Sequence, residues 1–468
     1  MRCVLPFALF PFSTEQYGNL FHSTRIPRKD KDELEKFAPT KHMVVQRGSA
    51  FWAIDILRDN GSVVPPGEIL EALEQVMKAP VSIDTPPVGV LTTMNRDKWA
   101  AARAELVKVG DNEAKMKMID SALFALTLED HQPEGWIDQQ NTMLHGAGRN
   151  RWFDKSFHYI VLPNGRAALN FEHSWGDGVA VLRLFNEVFD YSAAMSTPNA
   201  TSGKAAAPVK INLEVPSAVA ATCKQAAQDF DQITHSLQTS ILEVPGFTSS
   251  YIKSKGLGLD GVLQMSFQLA HYQLHGHSAS TYESANQSAY KHGRTETVRS
   301  CTPESDAMCK TLVNKSASVT EKVEALQRAV DYHGTITRQA LMGAGWDRHM
   351  FALKYEAQKN GLKLPAIYED VSYKRLSEII LSTSTLSSPT INGGGFGPVG
   401  DRCYGIGYTT GTLRGVVDPK IRDLDGFACS VMAFNKHRDA GAFTDTLKSS
   451  LELLRTVIDS IPSRKSKE

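Results

Sequence analysis

The segment Phe171-Glu172-His173-Ser174-Trp175-Gly176-Asp177-Gly178 places an imidazole and a carboxylate four residues apart in a tight turn. An imidazole titrates near neutrality, so its neutral form can take a proton from a hydroxyl at cellular pH. A base positioned in this way contributes roughly 10² to 10⁴ in rate. The plainer alternative for His173 is a core histidine satisfied by a carbonyl. Asp177 also lies where a helix N-cap belongs, and a capping carboxylate can brace the same turn.

Other polar clusters stand further along. Thr281-Tyr282-Glu283-Ser284 and Gly293-Arg294-Thr295-Glu296-Thr297 are rich in hydroxyl donors, which suit an ionised acceptor. Arg348 follows Asp347, and a surface ion pair between them is the simple reading. Leu381-Ser382-Thr383-Ser384-Thr385-Leu386 has the composition of a loop or strand edge. The glycines of Gly393-Gly394-Gly395-Phe396 lack the strand and helix context of a phosphate-binding loop. Lys253 and Lys255, in Thr248 to Asp260, are mobile point charges that could meet phosphates. His271, His275 and His277 include a helical spacing of four. No carboxylate or cysteine completes a ligand set there, so no metal is expected.

The elements that must position these residues can be read from pattern. Phe157 to Leu162 and Arg166 to His173 flank Pro163-Asn164-Gly165, and Asn-Gly between strand-like runs is a hairpin signal. A period of two puts Leu169, Phe171 and His173 on one face, with Asn170 and Glu172 on the other. The chain then enters a helix whose apolar stripe is Val181, Leu182, Phe185, Val188 and Phe189. Helices are predicted over Gly261–Leu274 and Thr320–Tyr332, and strands over Glu378–Leu381 and Tyr404–Tyr408. Ser192 to Lys210 is small and polar without periodicity, as a linker would be. Residues 1–191 and 211–468 are therefore expected as two mixed α/β domains flanking a 192–210 linker.

With 468 residues, 42% of them hydrophobic, the chain can bury a sizeable core. Lys plus Arg and Asp plus Glu number 51 each, which argues against a general nucleic-acid binder. The six cysteines form no CxxC pair and read as free thiols of a reducing compartment. The run from Cys3 to Phe12 is about half a membrane span. It imitates a signal peptide only faintly, and no amphipathic Arg- and Ser-rich leader is present.

Asn150-Arg151-Trp152-Phe153-Asp154-Lys155 and the His173 segment together resemble the active-site signature of the carnitine/choline acyltransferase family. Further collinear blocks, Phe21-His22-Ser23-Thr24-Arg25-Ile26-Pro27 and Leu144-His145-Gly146 among them, extend the resemblance from about Tyr17 to the C-terminus. It implies the chloramphenicol acetyltransferase-like fold: two similar α/β domains, each a mixed sheet with helices, and an active site in a tunnel at their interface. His173 would take the proton of the carnitine hydroxyl as that oxygen attacks an acyl-CoA thioester, with Asp177 as its acidic partner. Tyr282, Ser284, Thr295 and Arg348 match positions that hold carnitine's carboxylate, and Ser384 the hydroxyl offered to the oxyanion. Gly394 matches a glycine that keeps the acyl tunnel open in long-chain members.

Lys253, Lys255 and Asp260 match the CoA segment. This sequence departs from the family pattern there, with Ser249 in place of a lysine and Gly258-Leu259 in place of Ser-Pro. CoA and carnitine are implied as co-substrates, with no permanently bound cofactor, no metal and a monomeric state. The resemblance further implies a place in mitochondrial fatty-acid β-oxidation, on the matrix side of the inner membrane. Relatives carry about 200 further residues, a domain's worth, before the segment matching Tyr17, including the one proposed to touch the membrane. A shortened, catalytically incompetent or regulatory form, or a medium-chain enzyme, are the competing expectations.

Overall fold

The computed structural model describes residues 4–5, 8–9, 12–80, 85–196, 198, 205–385 and 387–463. The chain forms two compact units, Thr14–His235 and Ser236–Glu468, the latter together with Met1–Ser13. The division thus falls between His235 and Ser236 rather than in the expected 192–210 linker. The reason is a long-range pairing that local composition does not signal. Strand Val209–Ile211 joins the edge of the N-terminal sheet beside Ala50–Asp55, and Val219, Cys223, Ala226 and Ala227 of helix Ser217–Ser236 pack into that unit's core. Within the expected linker, residues 197, 199 and 200–204 lie outside the described residues.

The N-terminal unit is built on a six-stranded sheet ordered Val209–Ile211, Ala50–Asp55, His42–Arg47, Ala125–Leu128, Phe157–Val161, Ala167–Phe171. Its central strands read as continuous apolar runs because both faces are covered. Val44, Phe51 and Ala53 face one core with Trp99 and Trp152, while Met43, Val45, Trp52 and Ile54 face another. The predicted hairpin is present, with Phe157–Val161 paired antiparallel to Ala167–Phe171. Gly165 takes a positive φ of 78° in its turn, a conformation that favours glycine.

Helix Gly178–Ala194 follows, but only Ala180 and Val181 are buried in it. Val188 and Phe189, at 43% and 48% exposure, leave the second half of the expected apolar stripe in solvent.

The C-terminal unit carries a second six-stranded sheet, ordered Leu237–Pro245, Asp425–Phe434, Tyr404–Thr412, Leu381–Thr385, Thr281–Asn286, Thr295–Val298. Read in that order, its pairings run antiparallel, antiparallel, parallel, parallel, antiparallel, and the N-terminal sheet runs identically. The expectation of two similar mixed-sheet domains therefore holds at the level of topology. Helices Leu259–His275, Val319–Leu341 and Ala440–Asp459 contribute to the core formed with the inward residues Leu381, Tyr404, Ile406 and Phe427. The strand expected at Glu378–Leu381 begins instead at Leu381, so the Ser-Thr-Ser cluster is itself strand, in the interior of the sheet.

Among the described residues no helix is long and apolar enough to cross a membrane. The five cysteines described are all free, and Leu386 lies outside the described residues.

Candidate active site

His173 lies two residues beyond strand Ala167–Phe171, its side chain 66% exposed and its ring 5.3 Å from that of Phe171. Its Nδ1 is 3.7 Å from Asp177 Oδ1, so the carboxylate faces the imidazole at slightly more than hydrogen-bond length. Asp177 occupies the N-cap position of helix Gly178–Ala194, yet its side chain makes no capping bond. It is turned instead to Gln16, whose Nε2 donates to Asp177 Oδ2 at 2.9 Å. The Asp177 backbone N–H donates in return to Gln16 Oε1 at 2.8 Å. Gln16 was not foreseen, because a lone glutamine 161 positions away carries no local signal.

The turn bearing His173 is pinned from below. Glu172 N–H and Trp175 Nε1–H both donate to Ser156 O, at 3.0 and 2.7 Å. Glu172 accepts from Ser174 N–H at 2.8 Å and from Arg25 Nη1 at 2.8 Å. Arg25 also binds Asp32, which binds Arg96, which binds Asp154, and Trp99 Nε1 donates to Asp154 at 2.7 Å. Burial pushes the Asp154 carboxyl up to about 6, against the pull of Arg96. Arg25 and Asp154 come from two separate motif blocks, and both act here as scaffold.

In the C-terminal unit, register assigns the polar residues to faces. Tyr282 pairs with Ser382, Ser382 with Gly405, Ser384 with Gly407, Ser284 with Thr297 and Asn286 with Thr295. Paired residues share a face and alternate residues swap it, so Tyr282, Ser284, Thr295, Ser382 and Ser384 stand together, opposite the inward Glu283 and Thr383.

Arg348 joins them. Its Nη2 donates to the Tyr282 hydroxyl at 2.9 Å, its Nε donates to Thr295 O at 3.2 Å, and the guanidinium lies 5.6 Å from the Tyr282 ring centre. Asp347 contacts Arg348 at 3.5 Å but binds Arg299 more closely, at 2.9 Å, so the simple Asp347–Arg348 pair is not the main one. The glycine segment crosses the same face. A Cβ at Gly405 would come within 2.7 Å of Phe396 O, and one at Gly407 within 3.2 Å of Gly394 O. A Cβ at Gly394 itself would meet nothing within 4 Å.

The positions expected to meet CoA are less concerted. Lys253 is exposed in the last turn of helix Ser249–Ser254. Lys255 is committed to the chain terminus, donating to Ile461 O at 2.8 Å and Asp459 O at 3.4 Å. Asp260 points inward and accepts from the Tyr408 hydroxyl at 2.6 Å.

Behind the hydroxyl-bearing face runs a network that sequence reasoning missed. Gln264 Nε2 donates to Thr383 Oγ1 at 3.0 Å and to the Tyr408 hydroxyl at 3.2 Å. Thr383 Oγ1 donates to Tyr282 O at 3.1 Å. Ser300 Oγ lies 3.2 Å from Gln264 Oε1 and 3.1 Å from Glu283 Oε2, and His333 Nε2 donates to Glu283 at 2.8 Å. Burial pushes Glu283 up to about 7, opposed by His333. For His333 burial is the largest single influence and lowers the pKa, but the bond to Glu283 and the charges of Glu283 and Asp260 together raise it.

Asp260, Glu283 and His333 are the one group among the described residues whose ligand atoms cluster closely enough for a metal ion. Each is already hydrogen-bonded to protein. In the histidine cluster, His271 Nδ1 meets His277 O at 2.9 Å and His275 Nε2 meets the Tyr404 hydroxyl at 3.2 Å.

Residues 4–418 match the family described as Choline/Carnitine o-acyltransferase. The chain is 38% identical over 451 residues to the mouse protein named carnitine O-palmitoyltransferase 2, mitochondrial, covering 95% of this chain and 66% of that protein. The Xenopus tropicalis protein of the same name is 37% identical, covering 97% and 68%. Pigeon carnitine O-acetyltransferase is 28% identical, covering 97% and 73%. The chain thus spans about two thirds of the length of the curated relatives it matches.

Proposed function

We propose, for a chain that belongs to the choline/carnitine O-acyltransferase family, that it transfers a long-chain acyl group reversibly between coenzyme A and the hydroxyl of carnitine. The observation that carries this reading is the grouping of Tyr282, Thr295 and Arg348 on one sheet face, beside Ser382 and Ser384. A guanidinium and neighbouring hydroxyls match a carboxylate, and a strand hydroxyl nearby can serve a developing oxyanion.

In this reading His173, with Nδ1 turned to Asp177, takes the carnitine hydroxyl proton at Nε2. The carnitine oxygen attacks the thioester carbonyl carbon, and a C–O bond forms as the carbonyl electrons move onto oxygen. Ser384 donates to that oxyanion, a contribution typically worth about 3 to 4 kcal/mol. Collapse breaks the C–S bond, and the imidazolium returns its proton to the CoA thiolate. Asp177, braced by Gln16, orients the imidazole and stabilises its cationic form. Lys253 supplies charge for CoA phosphates. The open surroundings of Gly394 support a long acyl chain, and the names of the relatives support a mitochondrial setting.

The test is carnitine-dependent release of free CoA from palmitoyl-CoA by the purified chain, beside His173→Ala, with octanoyl-CoA compared. Activity on palmitoyl-CoA that disappears in the variant is the expected result. A soluble, folded wild-type chain without activity overturns it in favour of a catalytically incompetent form.

A further inference from the structure

We infer that Thr383 is a positioning residue, which fixes Tyr282, Ser382 and Ser384 through the Gln264–Glu283–His333 network on the opposite side of the sheet. The inference rests on the acyl-transfer reading above and assigns a role to residues that touch no reacting atom in it.

The argument begins with burial. Thr383 is 1% exposed and sits between Ser382 and Ser384 in strand Leu381–Thr385, flanked by strands on both sides. A threonine at an inward position of an apolar core must satisfy its hydroxyl or lose stability. Here the hydroxyl accepts from Gln264 at 3.0 Å and donates to Tyr282 O at 3.1 Å. It therefore ties the strand carrying the two serines to the strand carrying Tyr282, at the register where Tyr282 faces Ser382.

Gln264 is held in turn. Ser300 lies at its carbonyl oxygen, and its amide also reaches the Tyr408 hydroxyl, which donates to Asp260. Ser300 also contacts Glu283, one residue beyond Tyr282, and Glu283 is fixed by His333 from helix Val319–Leu341. Every link is a directional bond, and all but those to Tyr282 O and Asp260 join buried groups on both sides, so a shift at Thr383 moves the outward residues on either side of it. A merely packing role would be met equally well by valine, which has the same shape and no hydroxyl.

The experiment compares Thr383→Val and Thr383→Ser with the wild-type chain in kcat, carnitine KM and carnitine binding by titration calorimetry. Folding is checked by circular dichroism. Misplacing a catalytic group by about 1 Å costs up to about 100-fold, so T383V is expected to lose at least about tenfold in kcat. T383S, which restores the hydroxyl without the methyl, is expected to stay within about twofold of wild type, far from the valine value. Wild-type kcat in a folded T383V, or T383S as impaired as T383V, overturns the positioning role while leaving the acyl-transfer reading standing. A wild-type chain that neither turns over nor binds carnitine overturns both.

Discussion

Lys155 closes the Asn150–Lys155 block and is fully buried, yet among the described residues its ammonium meets only Asp120 O at 2.6 Å and Thr24 Oγ1 at 3.3 Å. Burial lowers its pKa from 10.5 to about 7, with the charge of Asp120 opposing. The displacement of 10.5 − 7 = 3.5, at about 1.36 kcal/mol per unit, is about 5 kcal/mol. The sign follows from which state holds the proton. Below pH 7 both folded and unfolded chains are protonated and the whole cost is present. Between pH 7 and 10.5 the folded chain has released its proton while the unfolded chain keeps it, so stability rises with pH.

Lys155→Met removes that cost with little change of shape. Its loss is about 1 kcal/mol of hydrogen bonding, since Thr24 Oγ1 still donates to Asp120 O at 2.7 Å. The variant is thus expected to be more stable at pH 7 by up to about 4 kcal/mol. That advantage should shrink by up to about 1.4 kcal/mol for each pH unit above neutrality. Urea unfolding followed by tryptophan emission reads it, because Trp99 and Trp152 are buried in the same unit. Wild-type and variant stabilities that stay parallel from pH 7 to 10 would refute the reasoning.

Two further outcomes are expected. Arg348→Ala should raise the carnitine KM by about 10- to 100-fold, the worth of a charge-assisted bond, while carnitine-independent properties such as the unfolding midpoint change little. An unchanged KM would remove Arg348 from the carboxylate site. Gly394→Phe should fold normally, since a Cβ there meets nothing within 4 Å. It should nevertheless cut the palmitoyl-to-acetyl activity ratio by at least about tenfold, because each excluded CH₂ forfeits about 0.8 kcal/mol; a constant ratio would show that the acyl chain runs elsewhere.

What the sequence made legible was local. Asn164-Gly165 announced the hairpin, and the period of two put His173 on the Phe171 side at the end of the second strand, which in fact stops at Phe171, two residues earlier. The buried helix Leu259–His275 was found to within two residues at either end. What stayed hidden depended on partners distant in sequence. Val209 and Lys210 read as the end of a linker because only pairing with Ala50–Asp55 makes Val209–Ile211 a strand. Ser382 to Thr385 reads as a loop or strand edge, not an interior strand, because its hydroxyls look unsatisfied until Gln264 and Tyr282 O are brought to Thr383. Asp177 reads as a cap because Gln16 is invisible at that distance. His333 did leave a trace, a polar residue on the stripe formed by Leu326, Ala329 and Val330. Its partner Glu283, inward between Thr281 and Ala285, left another. Neither alone outweighs the ordinary reading of a core histidine or a strand acid.

In the proposed acyl-transfer reading, the two units solve one physical problem in the same way. A side chain that does chemistry must be accessible and yet held to a fraction of an ångström, and exposed turns and strand faces do not hold themselves. In the N-terminal unit the answer is the chain of ions from Glu172 through Arg25, Asp32 and Arg96 to Asp154 and Trp99, which lies beneath an exposed His173. In the C-terminal unit it is the line from Asp260 through Tyr408, Gln264 and Thr383, with Ser300, Glu283 and His333 as its branch. An apolar core of equal volume would stabilise either unit at least as well, since burying charges is costly even when they are paired. Dispersion contacts, however, leave a strand some freedom to slide, whereas a satisfied hydrogen-bond network permits one arrangement. The buried polarity is therefore best understood as stability exchanged for position. It predicts that substitutions along these two lines will depress turnover more than they depress folding.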